Sequence, residues 1–342
     1  MTTDIENNMY TKRPNKWLFI SFLIVVCIIP TTGAVVGILY GTGVIGRLNN
    51  VDSTYTSSGN ITNIFYPSDN TNDIIPIIND IYNATLMWND EFEGSALDSS
   101  RWNTNIDPRT YKKKNTQQVY TSEENNVRVF NGNLELTARN NTGNITSGWV
   151  DSSNKFDFFP NITDGITSIL VETRILLPHP GQGFWPCFWL NPSNITRYGD
   201  SPSSGEMDLM ETINDFSFLL PVIHYGGNTK ETGGKKWSKL KSSSESWADK
   251  YHVYSLLWEV DTITMFIDGE EVLRVLSASI DPSGWYTTYP GAGKNAPFDA
   301  PFYIIMNFAV GGGWAGDTDD TTLFPATMFI DYVRVFYTSD NF

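Results

Sequence analysis

The sequence has few of the residues that metal, thiol or phosphate chemistry requires. Its three histidines are widely spaced and form no zinc-ligand pattern. Its two cysteines are Cys27, in an apolar segment, and Cys187, between Pro186 and Phe188. The sequence therefore predicts no intramolecular disulfide, and at position 187 a small buried residue rather than a nucleophile. It also contains no Gly-x-Ser-x-Gly nucleophile elbow and no phosphate-binding loop with Lys-Ser/Thr.

Basic residues are also scarce. The 342-residue chain carries 23 Lys and Arg against 38 Asp and Glu, a net charge of −15, and it has no basic stripe. This balance argues against nucleic acid as a partner and disfavours sulfated or uronic-acid polymers. By contrast, aromatic residues make up 14% of the chain and include 11 Trp. Most of these rings belong in a core, but a surplus of Trp also suits stacking against sugars.

Three carboxylates, Glu206, Asp208 and Glu211, fall within six residues, and the residues between them are apolar. In a strand, Glu206 and Asp208 point to the same face because side chains alternate. Glu211 joins that face only if a β-bulge absorbs one residue, either Leu209 or Met210. The spacing therefore predicts a bulged strand with all three acids on one face.

Such a face has a specific chemical use. Retaining glycosidases need two carboxyl groups about 5–5.5 Å apart, one as the nucleophile and one as the acid/base. The alternative interpretation is a strand whose acidic face is simply solvated. The spacing alone does not say which glutamate has which role.

The flanking chain resembles glycoside hydrolase family 16 over about residues 85–340. The segments that carry the resemblance, in order, are Trp88–Asp98, Glu172–Arg174, Gly183–Leu190, Gly205–Thr212, His224–Gly227, Tyr251–Trp258, Pro297–Tyr303, Asn307–Trp314 and Ile330–Val335. The spacing Glu-x-Asp-x-x-Glu is similar to that of the laminarinase (β-1,3-glucanase) branch.

The resemblance implies an all-β, β-jelly-roll sandwich with a concave substrate cleft. It also implies retaining, endo-acting hydrolysis of a β-1,3- or mixed-linkage glucan of cell walls or extracellular polysaccharide, without a catalytic cofactor. In this scheme Glu206 is the nucleophile, Glu211 the acid/base, and Asp208 holds Glu206 in position. Two alternatives stay open: a transglycosylase that remodels a wall, and a non-catalytic β-glucan recognition protein, which the presence of both glutamates disfavours.

The resemblance also implies residues that contact the polysaccharide. Three tryptophans are expected to stack on sugar rings, and three polar residues match positions where relatives hydrogen-bond the glucan. These six are Trp185, Trp189, Trp314, Asn126, Arg174 and His224. Core packing is the alternative role for Trp189, and a structural role is the alternative for Arg174 and His224.

One further site is expected in the last strand. Asp331 shares a face with Val333 in regular alternation, so the sequence predicts that its carboxylate points inward and needs a partner. The resemblance suggests a structural calcium ion held by Asp331 and by backbone carbonyls near Gly132 and Glu91. An ordinary buried salt bridge is the alternative.

After residue 85, strand signals dominate and no long helical period is present. Predicted strands lie at Asn133–Arg139, Thr167–Leu177, Tyr251–Trp258, Thr262–Ile267, Pro301–Phe308 and Met328–Tyr337. Asp268-Gly269 predicts a hairpin turn. Many short strands separated by Gly, Pro and Asn turns favour a β-sandwich.

The N-terminal region predicts export. Residues 18–40 form an uncharged, mostly apolar run, long enough to span a bilayer, and basic residues precede it. We therefore expect a cytosolic tail at 1–16, a transmembrane signal-anchor at 17–46, an Asn/Ser/Thr-rich stalk at 47–84 and a catalytic domain at 85–342 in a single-pass type II membrane protein. The alternative is a cleaved signal peptide and a secreted protein.

Six Asn-x-Ser/Thr triplets agree with export and with a glycoprotein. They begin at Asn60, Asn83, Asn140, Asn144, Asn161 and Asn194. If they are modified, they mark surface loops.

Overall fold

The computed structural model describes residues 84–104, 115–227, 229 and 232–339. The predicted cytosolic tail, the membrane anchor and nearly all of the predicted stalk lie outside the described residues, as do Asn60, Asn83 and Cys27. In the part of the chain that the structure covers, no helix combines the length and the apolar character needed to cross a bilayer.

The described residues form mostly β-strands, as the sequence predicts. The strands are β1 (Thr85–Asp90), β2 (Val119–Tyr120), β3 (Val127–Phe130), β4 (Asn133–Asn141), β5 (Asn144–Ser147), β6 (Trp149–Asp151), β7 (Ile166–Leu176), β8 (Phe184–Pro192), β9 (Glu206–Glu211), β10 (Phe218–Leu219), β11 (Val222–Gly226), β12 (Gly233–Trp237), β13 (Leu240–Lys241), β14 (His252–Glu259), β15 (Thr262–Ile267), β16 (Glu270–Leu276), β17 (Phe302–Val310) and β18 (Ala326–Ser339). Two helical turns accompany them within these ranges, a 3-10 turn at Ile162–Asp164 and α1 at Gly312–Ala315.

Two sheets enclose one large hydrophobic core. The larger sheet has ten strands in the order β16-β15-β14-β7-β18-β4-β5-β2, with β1 paired to β18 and β3 paired to β4. The smaller sheet has six strands in the order β12-β11-β9-β8-β17-β6. Val171 and Val333 enter the core from the ten-stranded sheet, and Met207 and Ile304 enter it from the six-stranded sheet. The arrangement is the predicted β-sandwich, and the face of the six-stranded sheet turned away from the core is called the open face below.

The strands predicted from the sequence are confirmed. β15 has the predicted bounds, and the other predicted strands are found with ends displaced by at most two residues. Asp268 and Gly269, with φ of 50° and 83°, form the tight turn between β15 and β16. Positive φ at both positions is what a two-residue hairpin turn requires, and Asp-Gly provides it with little strain.

Strand β18 corrects the expectation for Asp331. Its register against β7 shifts between Ile330 and Tyr332, so Asp331 is the extra residue of a β-bulge. Ile330 therefore shares the core-facing side with Val333. The Asp331 side chain is 31% exposed and forms an ion pair with Arg174. The prediction that it points inward was wrong, because a bulge shifts the alternation of side chains by one residue.

Three carboxylates on the outer face of the ten-stranded sheet pair with arginines, whereas the buried Glu172 accepts a hydrogen bond of 2.8 Å from the Tyr332 hydroxyl. Arg334 donates two hydrogen bonds to Glu91, at 3.0 and 2.8 Å. Arg128 and Glu135, on the neighbouring strands β3 and β4, are joined at 2.6 Å. These bidentate and charge-assisted contacts link neighbouring strands across the outer face.

Candidate active site

Strand β9 carries the three predicted carboxylates and the predicted bulge. Its ladder with β8 joins Met210 to Phe188 and Asp208 to Trp189, so Leu209 has no counterpart and is the absorbed residue. The apolar residues of β9 belong to the core. The three acids therefore share the open face, and the bulge inferred from their odd spacing is confirmed.

Strand β11 brings His224 to these acids. His224 lies directly opposite Glu206 in the β9–β11 ladder. Its Nε2 is 3.4 Å from Asp208 Oδ2 and 3.8 Å from Glu206 Oε1. Burial acts to lower the pKa of His224, but the close Asp208 carboxylate and the charges of Glu206 and Glu211 outweigh it, so the pKa is raised. His224 thus supplies a positive charge between two carboxylates when it is protonated.

Asp208 is the most enclosed of the three acids. It is 6% exposed, and its buried Oδ2 accepts no well-directed hydrogen bond. The His224 nitrogen approaches this oxygen closely enough for an ionic interaction, but not in the geometry of a full hydrogen bond. Asp208 therefore depends on nearby charge rather than on a directed donor at this atom.

Glu211 is held by a tryptophan. The indole Nε1 of Trp185 donates a hydrogen bond of 2.9 Å to Glu211 Oε1. Trp185 is only 5% exposed and lies edge-to-face against Trp314, with ring centroids 5.2 Å apart. The expectation that Trp185 is a stacking platform is not favoured by this burial, because little of its ring is left for a sugar. Trp314, which α1 presents at 39% exposure, has the ring surface that stacking needs.

Trp189 lies on the open face and is half-buried. Its Nε1 donates to Asn307 Oδ1 at 2.8 Å, and its ring meets Trp149 edge-on at 5.8 Å. Asn307 in turn donates to the Tyr120 hydroxyl at 3.1 Å. Sequence reasoning did not single out Asn307 or Tyr120. The available signal was the single polar amide in the otherwise apolar strand β17.

Two predicted substrate contacts are not brought to the acidic cluster. Asn126 is 3% exposed, and its amide is used inside the protein, donating to the Thr137 carbonyl and accepting from the Thr121 hydroxyl at 2.7 Å each. Arg174 lies on the outer face of the ten-stranded sheet, where it pairs with Asp331. Both side chains hold the scaffold together, and the structural alternative applies to Arg174.

The calcium prediction has a mixed outcome. The register of β18 brings Asp331, Glu91 and Gly132 to one region, where β18 stops pairing with β4 and starts pairing with β1. The Asp331 carboxylate, however, is already neutralised by Arg174, and Glu91 is paired with Arg334. Calcium requires several oxygen ligands that are not held by other cations. The salt-bridge alternative describes the Asp331 carboxylate as it stands here. The pairing of the Glu91 side chain does not bear on the backbone carbonyls near Gly132 and Glu91, so the calcium site stays a prediction.

Cys187 is a small buried residue, as predicted. It is 7% exposed and lies opposite Glu211 in one ladder and opposite Asn307 in the other. It therefore forms part of the floor beneath the acids.

The four described glycosylation triplets lie at the surface. Asn140, Asn144 and Asn194 are exposed, and Asn161 is half-buried at the cap of the 3-10 turn. Asn140 and Asn144 lie at the ends of β4 and β5 that meet in a turn rather than in a loop, and modification of all four stays a prediction.

The arrangement can perform acid/base and nucleophilic chemistry. Two glutamates on one face are separated by an aspartate–histidine pair, and one of them receives a hydrogen bond from a tryptophan. Carboxylates in such different surroundings are suited to different roles in one reaction. Exposed and half-buried aromatic rings flank them on the same face.

Comparison with known proteins identifies relatives of this chain. Residues 114–334 match the family described as Glycosyl hydrolases family 16. The chain is 34% identical over 275 residues to Glucan endo-1,3-beta-glucosidase A1 of Niallia circulans. The aligned region covers 75% of this chain and 38% of that protein. The chain is 32% identical to Keratan-sulfate endo-1,4-beta-galactosidase of Sphingobacterium multivorum, with 73% of this chain and 54% of that protein covered. The chain thus spans about half or less of the length of these two relatives.

The fold also matches a solved structure. The laminarinase of Rhodothermus marinus superposes with a TM-score of 0.63 at 28% sequence identity, covering 76% of this chain and 100% of that one. The all-β sandwich expected from the sequence is therefore confirmed.

Proposed function

Because the chain belongs to family 16 of the glycosyl hydrolases, we propose that it is a retaining, endo-acting β-glucan hydrolase that cleaves β-1,3 or mixed β-1,3/1,4 linkages. The observation that carries this proposal is the bulge at Leu209, which puts Glu206, Asp208 and Glu211 on one open face. The similarity to a glucan endo-1,3-beta-glucosidase and to a laminarinase supports the choice of glucan.

In the proposed mechanism, Glu206 attacks the anomeric carbon and forms a glycosyl-enzyme. Glu211 protonates the departing oxygen, then removes a proton from the water that hydrolyses the intermediate. Trp185 holds Glu211 through its indole N–H. Asp208 and His224 fix the geometry and charge around Glu206.

Two further features belong to the proposal. The substrate is a polysaccharide of a cell wall or of the extracellular space, and it stacks on Trp314, with Trp189 farther along the open face.

The protein is anchored through residues 17–46, with its catalytic domain outside the cytosol. Protease treatment of sealed microsomes tests the orientation: the domain should be digested only after detergent is added.

The experiment that tests the activity is product profiling. Purified full-length protein is incubated with a linear β-1,3-glucan, a mixed β-1,3/1,4-glucan, a β-1,6-glucan and cellulose. We expect oligosaccharides of mixed length from the first two substrates and none from the others. In a parallel incubation with one purified β-1,3-linked oligosaccharide, products longer than that oligosaccharide would favour the transglycosylase alternative. Binding of glucan without any product would favour the recognition protein.

A further inference from the structure

The residues around Glu206 also have the composition of a transition-metal site. His224 Nε2, one oxygen of Asp208 and one oxygen of Glu206 lie within 4.8 Å of one another. The His224 nitrogen is 3.4 Å from the Asp208 oxygen and 3.8 Å from the Glu206 oxygen. Ligands bound to zinc at about 2.0–2.2 Å in a tetrahedral site lie about 3.4 Å apart, so the His224 nitrogen already has nearly the spacing from both carboxylates that a shared ion requires.

A second observation points to a ligand at the same place. Asp208 is more than nine-tenths buried, and its Oδ2, the oxygen nearest His224, accepts no directed hydrogen bond. A buried carboxylate oxygen without a donor is costly, and coordination to a metal ion satisfies it. The orphaned atom is the Asp208 oxygen that lies 3.4 Å from His224 Nε2.

His252 is also flanked by two carboxylates, but they are placed differently around its ring. His252 uses Nδ1 to contact Asp268 at 2.6 Å and Nε2 to contact Asp249 at 3.1 Å. Its two carboxylates lie on opposite edges of the ring, so they do not converge on one point with a ring nitrogen. At His224, by contrast, a single nitrogen faces both carboxylates. All three histidines of the chain are among the described residues, and the third, His179, contacts the Leu323 carbonyl.

We propose that the open face binds a zinc-class divalent cation through His224, Asp208 and Glu206, and that this cation competes with the glucan. One imidazole and two carboxylates suit zinc, while calcium and magnesium prefer oxygen ligands alone. Three protein ligands leave a fourth position for water. Binding engages the Glu206 oxygen that would attack the anomeric carbon, so the cation blocks hydrolysis. The inhibition rests on the proposed function, whereas the metal binding does not.

The test uses the purified full-length protein without substrate. Zinc affinity is measured by competition with a coloured chelator, and the visible absorption of added Co²⁺ reports coordination. We expect one zinc ion bound at this site, and an affinity at least about tenfold weaker in His224→Gln. His252→Gln, which alters the other carboxylate-flanked histidine, should keep the wild-type affinity and the Co²⁺ spectrum.

Inhibition is measured separately on a β-1,3-glucan. Zinc should raise KM in the wild type and in His252→Gln, and a chelator should restore the rate, while magnesium at equal concentration should have no effect. His224→Gln should lose this sensitivity relative to its own uninhibited rate. Equal zinc affinity in His224→Gln and wild type, or an equal loss in both histidine variants, overturns the metal site. If no variant hydrolyses glucan but the zinc result holds, the proposed function fails and the metal site stands.

Discussion

His224 and His252 each lie between carboxylates, in different parts of the molecule. The surroundings of His252 stabilise the fold, whereas those of His224 form part of a face that a substrate can reach. His252, at the start of β14, ties the β15–β16 turn through Asp268 and the preceding loop through Asp249. Each of its ring nitrogens has its own carboxylate, and the ring is 5% exposed. His224 brings one nitrogen to two carboxylates on the open face. The first arrangement satisfies every polar atom of the ring and stabilises a loop. The second leaves the buried Asp208 Oδ2 without a hydrogen bond in a place a substrate can reach.

The two outer faces of the sandwich repeat this contrast. On the ten-stranded sheet, Asp331, Glu91 and Glu135 each have an arginine partner. On the six-stranded sheet, the charged partner of Glu206 and Asp208 is a histidine, which changes charge near neutral pH. Permanent pairing is suited to holding strands in register. A titratable partner is suited to chemistry in which carboxylates gain and lose protons.

The largest expected effect separates the two histidine sites by activity. Glu206→Gln should lower kcat on β-1,3-glucan by about 10⁴-fold or more, because the covalent intermediate no longer forms. Asp268→Asn, the matched carboxylate change beside His252, should leave kcat within about threefold of wild type, since exposed-site changes seldom alter a distant active site. Initial rates of purified variants measure both. A similar loss in the two variants contradicts the separation between a catalytic and a structural site.

A smaller effect is expected at the second glutamate. Glu211→Ala should lower the rate by about 10²–10⁴-fold, the range for a positioned acid/base. Glu206 can still attack a substrate with a good leaving group, so added azide should rescue Glu211→Ala and give a product of retained β-configuration. Nuclear magnetic resonance of the azide product measures its configuration. Inverted product from Glu211→Ala, together with retained product from Glu206→Ala, would reverse the two roles.

At the structural histidine, the expected effect is on stability rather than rate. His252→Gln removes charge-assisted hydrogen bonds to Asp268 and Asp249 and should lower the free energy of unfolding by about 1–3 kcal/mol. The lower part of that range is expected because both aspartates are more than two-fifths exposed and water screens them. Denaturant unfolding measures the change, with kcat as the control. Unchanged stability would show that this cluster holds nothing in place.

The smallest expected effect is a pH dependence of the difference in free energy of unfolding between wild type and His252→Gln. Burial acts to lower the pKa of His252, but its bonds and charges with Asp268 and Asp249 outweigh it and raise the pKa. Burial likewise acts to raise the pKa of Asp268, and the His252 hydrogen bond outweighs it and lowers the pKa. A raised histidine pKa contributes stability below its unfolded value of about 6.5 that is lost as pH rises through the folded pKa. A lowered aspartate pKa contributes stability above its unfolded value of about 3.9 that is lost as pH falls through the folded pKa.

The stability difference between wild type and His252→Gln should therefore be greatest between about pH 4 and 6.5. It should shrink on either side. Unfolding at several pH values measures it, and a difference that grows above pH 7 contradicts the assigned directions.

Strands and turns whose conformation depends on neighbouring residues could be predicted from the sequence. Alternation located β4, the β-branched composition of Thr167–Leu177 located β7, and the Asp-Gly pair located a hairpin. The odd spacing of Glu206 and Glu211 even required the bulge that the structure has at Leu209. The bulge at Asp331 was missed, although Arg334, an outward-facing charge three positions along the same strand, gave the same odd-spacing signal.

Side-chain partners were harder to predict, because long-range pairing decides them. Nothing near Arg174 or Asn126 in the sequence shows that Asp331 and Thr137 use their hydrogen bonds. The indole bond from Trp185 to Glu211 likewise depends on β8 lying beside β9. Family resemblance supplied positions for these residues but not the atoms that they contact.

The most direct test of the central claim, that Glu206 is the nucleophile of a retaining hydrolase, is to trap the intermediate. Full-length protein is inactivated with an activated 2-deoxy-2-fluoro glycoside of a β-1,3-linked glucose disaccharide, digested with protease and mapped by mass spectrometry. Our account predicts one disaccharide attached to the peptide that contains residues 206–211, with fragmentation placing it on Glu206. Attachment to Glu211, or turnover of the natural substrate with inversion and no covalent adduct, would contradict it.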